Sequence, residues 1–234
     1  MKAVILQPSY IPWRGYFHQI QKADAFVFYD CVQYDDRGWR NRNKIKTAQG
    51  EHWLTVPVNS NGCQTFKTPI MDIPIIWETA WPEKHLKAIQ HSYRKTPFFQ
   101  EHGSLLEAIY GRHDERLVDF TCATTELIAR KLGIGHTKFF RSSQLPAQGS
   151  KTDRLVSILV HLGATHYISG PSAQDYIEKE KFDAVGISLE FMRYDYPEYP
   201  QINGSFTSHV SILDLMFNTG PKAEKYIWNK NDTV

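Results

Sequence analysis

The sequence predicts an α/β fold: a mostly parallel, Rossmann-like sheet flanked by helices, with room for a small added lobe. Three observations predict it. Ala3-Val4-Ile5-Leu6 is a short, continuously apolar run, a second run follows at residues 25–29, and the strand-loop-helix order returns at residues 166–179. Apolar runs without polar alternation suit strands buried on both faces of a parallel sheet.

Gln7-Pro8 ends the first strand. Pro8 and Pro12 fix φ and lack amide donors, so Ser9 to Arg14 is expected to run as an irregular loop until Gly15 opens a helix carrying Phe17 and Ile20. The next strand, Ala25-Phe26-Val27-Phe28-Tyr29, closes a compact βαβ unit with residues 9–16 at its mouth, where open parallel sheets bind ligands. Trp53 to Val58 alternates like a strand, and Gln64 to Ile75 is expected to hold another. Leu86, Ile89 and Tyr93 give a helix over 83–93 that stops before Thr96-Pro97. Helices are expected at 105–110 and 117–132, the second stopped by Gly133, and Phe139-Phe140 reads as a strand. Ser150 to Asp153 caps a helix running to His161-Leu162, with Gly163 beyond it. His166 to Gly170 is a strand that delivers a Gly-Pro-Ser loop into a helix over 174–179. Leu189 to Tyr194 is the last sheet strand, and Val210 to Phe217 a closing helix capped by Ser208 or Ser211.

Length and composition fit one α/β domain over residues 1–234. The chain is 41% hydrophobic and 22% charged, with a formal net charge of +2, too small to argue for a nucleic-acid or membrane partner. No window approaches the roughly 18 apolar residues of a membrane helix, and the apolar stretch behind Met1-Lys2 is too short for a secretory leader. A cytoplasmic protein without membrane insertion is expected. Cys31, Cys63 and Cys122 are widely spaced and form no CxxC, which argues against a disulfide framework or a zinc-cysteine site. Cys31, beside the mouth, is either a nucleophile or a structural thiol. No histidines pair as HxH or HExxH, so no metal site is expected, and no P-loop or GxGxxG is present. Aromatic residues make up 13% of the chain, many in loops beside Asn, Gln and Arg; they either line a sugar or nucleobase site or pack beneath surface loops.

Several segments match a known family. Leu6-Gln7-Pro8-Ser9-Tyr10-Ile11-Pro12-Trp13 with Gly15-Tyr16-Phe17, residues 33–46, His91-Ser92-Tyr93-Arg94-Lys95-Thr96-Pro97, Ser150 to Leu155, and Tyr199-Pro200-Gln201 with Ser211-Ile212-Leu213-Asp214 closely resemble the WbqC-like protein family. The resemblance covers nearly the whole chain. It implies a role in O-antigen and other surface-polysaccharide synthesis, with transfer of glycine or another amino acid to the amine of a nucleotide-linked amino sugar. The implied partners are a nucleotide sugar and an acyl donor, which is a thioester, an aminoacyl-tRNA or an adenylate; the cofactor and the oligomeric state stay open.

Such a transfer needs an activated carboxyl, a base for the amine and donors for an oxyanion. His18, one turn from the mouth, and His91, beside Arg94 and Lys95, are the candidate bases, with Lys95 as a third catalytic candidate. Arg40, Arg42, Lys44 and Lys46 alternate with Asn41 and Asn43. In an extended strand the cations share one side, either to hold phosphates or to keep an edge soluble. Lys151 stands at a helix N-terminus, where an anion is favoured. Gln7, Tyr10, Trp13 and Tyr34, with Ser169 and Gly170 of the second strand-to-helix junction, complete the expected substrate-binding set.

Two alternatives stay open. One is a nucleotidyl or glycosyl transferase using Asp35-Asp36 or Asp195 with Glu198; the other is a binding protein without turnover. The order of elements also looks like the adenylate-forming nucleotidyltransferases, but Pro12-Trp13-Arg14-Gly15 stands where their HxGH signature would be.

Overall fold

A computed structural model describes residues 1–228; the last six residues of the expected domain lie outside the described residues. In chain order the elements are β1 (Lys2–Leu6), α1 (Arg14–Lys22), β2 (Ala25–Phe28), β3 (Arg42–Thr47), β4 (Gly50–Thr55), α2 (Cys63–Phe66), α3 (Trp81–Tyr93), α4 (Gly103–Tyr110), α5 (Leu117–Lys131), β5 (Lys138–Arg141), α6 (Lys151–Leu162), β6 (His166–Ser169), α7 (Lys179–Asp183), β7 (Ser188–Phe191) and α8 (Ile212–Thr219).

The five-stranded sheet has the order β5-β2-β1-β6-β7, and every pairing in it is parallel. The expected α/β class is therefore present. β1 is central, pairing Ala3 with Ala25 of β2 on one side and with Tyr167 of β6 on the other. Alternation along the strands separates two cores. Val4, Phe26, Phe28 and Ile168 pack with Phe17 and Ile20 of α1, while Ala3, Ile5, Ala25, Val27 and Tyr167 pack with Leu155, Ile158 and Leu159 of α6 and Phe182 of α7. Because both faces are covered, β1 and β2 read as unbroken apolar runs.

The added layer is the antiparallel hairpin β3–β4 with helices α3, α4, α5 and α8. Ile45 and Leu54 of the hairpin share the first core with Ile89, Tyr93, Phe120 and Phe217.

Three local expectations are corrected. The strand over 64–75 is instead α2 followed by a 3₁₀ turn at Ile70–Asp72, with single antiparallel bridges from Pro69 to Gln33 and from Ile75 to Val58. Pro69 and Pro74 lack ladder donors, which keeps this segment out of a sheet. The helix over 174–179 is a 3₁₀ turn at Pro171–Asp175 followed by α7. The fourth strand lies at 50–55, ending before Pro57. At the closing helix Ser211 is the cap, its Oγ accepting from the Leu213 amide at 3.2 Å.

Candidate functional site

From β1 the chain passes to β2 on one side of the sheet and reaches β6 on the other, so the switch in strand order falls between the carboxyl ends of β1 and β6. A cleft of about 980 Å³ opens there. Ile5, Leu6 and Gln7 enter it from β1, and Tyr167, Ser169 and Gly170 from β6.

The mouth loop between β1 and α1 is held from outside. Arg40 Nη1 donates to the carbonyls of Gln7 and Pro8 at 3.2 and 3.3 Å and to Ser9 Oγ at 2.9 Å. Asn43 Nδ2 donates to the carbonyls of Tyr10 and Ile11 at 3.1 and 2.6 Å. These bonds secure an unusual backbone, since Ile11 adopts φ of +37°, a region β-branched residues avoid. Trp13 then folds over the start of α1. A Cβ on Gly15 would lie 2.4 Å from the Trp13 ring, so glycine is required there for packing.

Across the cleft stands the first turn of α6. Ser150 makes no side-chain capping bond, and the amides of Lys151 and Thr152 have no intrahelical acceptor, an arrangement suited to an anion. Both residues line the cleft, and Lys151 has φ of +48°. Tyr29, Trp39, Tyr176 and Tyr194 supply aromatic walls. Burial draws Arg40 below the ordinary arginine value, with Tyr16, Asp35 and Tyr34 opposing the shift. Burial also pushes the Tyr29 and Tyr194 hydroxyls up to about 12, so both stay neutral donors near pH 7.

Of the residues expected from sequence, Gln7, Trp13, Arg40, Asn43, Lys151, Ser169 and Gly170 come together in this cleft. Tyr10 lies behind it, fully buried, its hydroxyl 2.9 Å from His85 Nδ1 and 2.7 Å from the Tyr110 hydroxyl. Tyr34 is buried, and Asn41 Nδ2 donates to the Val56 carbonyl at 2.9 Å.

The cation array is dispersed rather than shared on one face. Arg42 lies over the Trp53 ring and donates to the Arg37 and Gly38 carbonyls; Lys44 pairs with Glu51 at 2.5 Å; Lys46 is buried against Gln201, Gly204 and Ser205. The cause is local: β3 begins only at Arg42, so Arg40 leaves the strand and turns to the mouth loop.

The candidate catalytic residues do not reach the cleft. His91 and Lys95 are exposed at the end of α3, and His18 packs with Tyr196, 2.8 Å from its hydroxyl, beside a second cavity that also includes Asp195. Helical spacing explains the last of these, because Gln19, one residue on, faces the cleft instead. Cys31 is half-buried, with the Ser142 hydroxyl donating to its sulfur at 3.2 Å.

The cleft holds groups that sequence reasoning missed, among them Gln19, Trp39, Tyr176, Glu178, Tyr194 and His209. Tyr176 and Glu178 follow the Gly-Pro-Ser loop and were reachable by extending its logic. Tyr194 and His209 sit in irregular segments with no periodic signal. Among the described residues no group of three or more His, Cys, Asp or Glu is placed to hold a metal ion, and no helix is long and apolar enough to cross a membrane.

No solved structure matches the chain. It is 39% identical over 230 residues to the uncharacterized protein Rv1507c of Mycobacterium tuberculosis, with 97% of each chain covered. The model of the WbqC-like protein family matches residues 7–226, from the first residue of the mouth loop to the segment after α8. The chain thus belongs to the WbqC-like protein family.

Proposed function

We propose that this protein is an enzyme of surface-polysaccharide (O-antigen) synthesis that holds a nucleotide-linked amino sugar in the switch-point cleft and transfers an amino acid such as glycine to its amine. The observation that carries this reading is the pairing, across one cleft, of the Arg40 guanidinium with Lys151 and the uncapped start of α6, between aromatic walls. Cations and free amides suit a diphosphate, and rings suit a base and a sugar. Gln7, Trp13, Asn43, Ser169 and Gly170 complete the binding set. Glu178 and His209 are the cleft side chains able to take a proton from the amine. The acyl donor is a thioester, an aminoacyl-tRNA or an adenylate, and the setting is the cytoplasm. The single-domain reading of residues 1–234 is supported by a first core that includes residues from Val4 to Trp228.

The test is a thermal-stability scan against nucleoside diphosphates, nucleotide amino sugars, ATP and coenzyme A, since a ligand that binds only the native state raises the midpoint. A shift with a nucleotide amino sugar, reduced about tenfold in apparent affinity by Lys151→Ala, is the expected outcome. Transfer is then read by mass spectrometry as addition of one aminoacyl group. No shift with any nucleotide sugar would overturn the reading. The exclusion of His18, His91 and Lys95 from the cleft favours a second reading, binding without turnover; a shift without any mass change would select it.

A further inference from the structure

Gln19 lies on α1, one turn after Gly15, and is only 3% exposed, yet it lines the cleft beside Trp13 and Tyr194. Its Nε2 donates to the Tyr194 hydroxyl at 2.6 Å. Its Oε1 is buried and has no hydrogen-bond partner among the described residues. Buried acceptors in native proteins are almost always satisfied, and one left unmade in a ligand cavity points to a group that arrives with the ligand.

The surroundings narrow that group. Trp13 and Tyr194 meet edge to face, with centroids 5.0 Å apart, and give Gln19 two ring walls. Gly170 opens the opposite side, where an added Cβ would meet the Tyr194 hydroxyl at 3.7 Å. Arg40, elsewhere in the lining, carries a buried Nε that is likewise without a partner. The cleft therefore presents a neutral acceptor among rings together with a cationic donor. An acceptor flanked by rings suits a sugar that carries a donating substituent, and the cation suits a phosphate oxygen.

We propose that Gln19 is a specificity-determining residue, accepting on Oε1 a hydrogen bond from the amine of the bound sugar ring. This rests on the cleft being a nucleotide-sugar site. An ammonium donates a stronger, charge-assisted bond than a hydroxyl, so the acceptor favours the amino sugar over its hydroxyl counterpart. Gln19→Leu removes the acceptor at similar volume. Gln19→Glu puts an oxygen at both amide positions, with the Tyr194 hydroxyl then donating, and adds a charge that favours the ammonium further.

The experiment is calorimetric titration of the full chain with matched pairs, glucosamine and glucose each linked to UDP, dTDP and GDP. The expected result is a preference for one amino sugar over its glucose partner of about tenfold, lost in Gln19→Leu and widened in Gln19→Glu. An unchanged preference in Gln19→Leu overturns the inference and leaves the nucleotide-sugar site standing. Should that variant fail to fold, an unchanged ratio in Gln19→Glu overturns it equally. Wild-type protein that binds none of the six overturns the site and the inference together.

Discussion

Asn43 gives both of its amide hydrogens to the carbonyls of Tyr10 and Ile11, and its Oδ1 accepts from the Lys44 amide at 2.8 Å. One side chain on the hairpin therefore fixes a loop whose own residues cannot. Pro8 and Pro12 supply no donors, and Ile11 sits in a left-handed conformation that costs an L-residue about 1–2 kcal/mol. Asn43→Ala removes two buried hydrogen bonds and is expected to cost about 2 kcal/mol of stability. It should weaken ligand binding beyond that loss, because the mouth loop carries Trp13. Urea unfolding with a parallel titration checks this; binding that survives intact would show that Ile11 holds its conformation without Asn43. Trp13 depends on Gly15 in the same way, through space rather than bonds.

At the scale of elements, the carboxyl ends of β2 and β5 are joined by Asp30. This fully buried carboxylate accepts from Arg141 Nε at 2.8 Å, from the Ser142 and Ser143 hydroxyls at 2.9 and 2.7 Å, and from the Ser143 amide at 2.8 Å. Removing one partner of such a pair leaves the other uncompensated, so Asp30→Ala is expected to cost about 3 kcal/mol, read as a lower urea midpoint. A loss under about 1 kcal/mol would mean that Asp119, which also pairs with Arg141, carries the guanidinium alone. Elements were legible where burial repeats with a period: β1 and β2 as unbroken runs, α5 and α6 as stripes. The segment at 64–75 was not, because its apolar residues are buried one at a time under a turn rather than along a strand face. The basic run from Arg40 to Lys46 showed charge but not destination. Loop carbonyls, an indole face, Glu51 and Gln201 lie far from it in sequence or carry no signal as acceptors.

Across the whole molecule, pH bears on stability through buried histidines. His85 is 6% exposed, with its ring among Tyr10, Trp81 and Tyr110, and burial lowers its pKa to about 4 against a contribution from the Thr55 backbone. Burial also lowers His102. The folded state binds a proton to His85 less readily than the unfolded chain does. The stabilising contribution is thus complete above pH 6.5 and falls as pH drops from 6.5 to about 4. The decline attributable to His85 is about 3 kcal/mol. His85→Leu should be less stable at neutral pH, having lost the bond to Tyr10, yet show a flatter decline. Urea unfolding at a series of pH values decides it, and parallel curves for the two proteins would remove His85 as the cause.

The place of β1 between β2 and β6 has a consequence for the making of the protein. Its neighbour β2 follows within one short helix, whereas β6 is separated from it by most of the chain. During synthesis β1 therefore presents an unpaired, apolar edge until β6 emerges, and closing so long a loop is slow relative to the local βαβ unit. The cleft has only one wall until that strand docks. Ligand binding thus reports completion of the sheet, and a ligand present during refolding would act on the last step of assembly rather than the first.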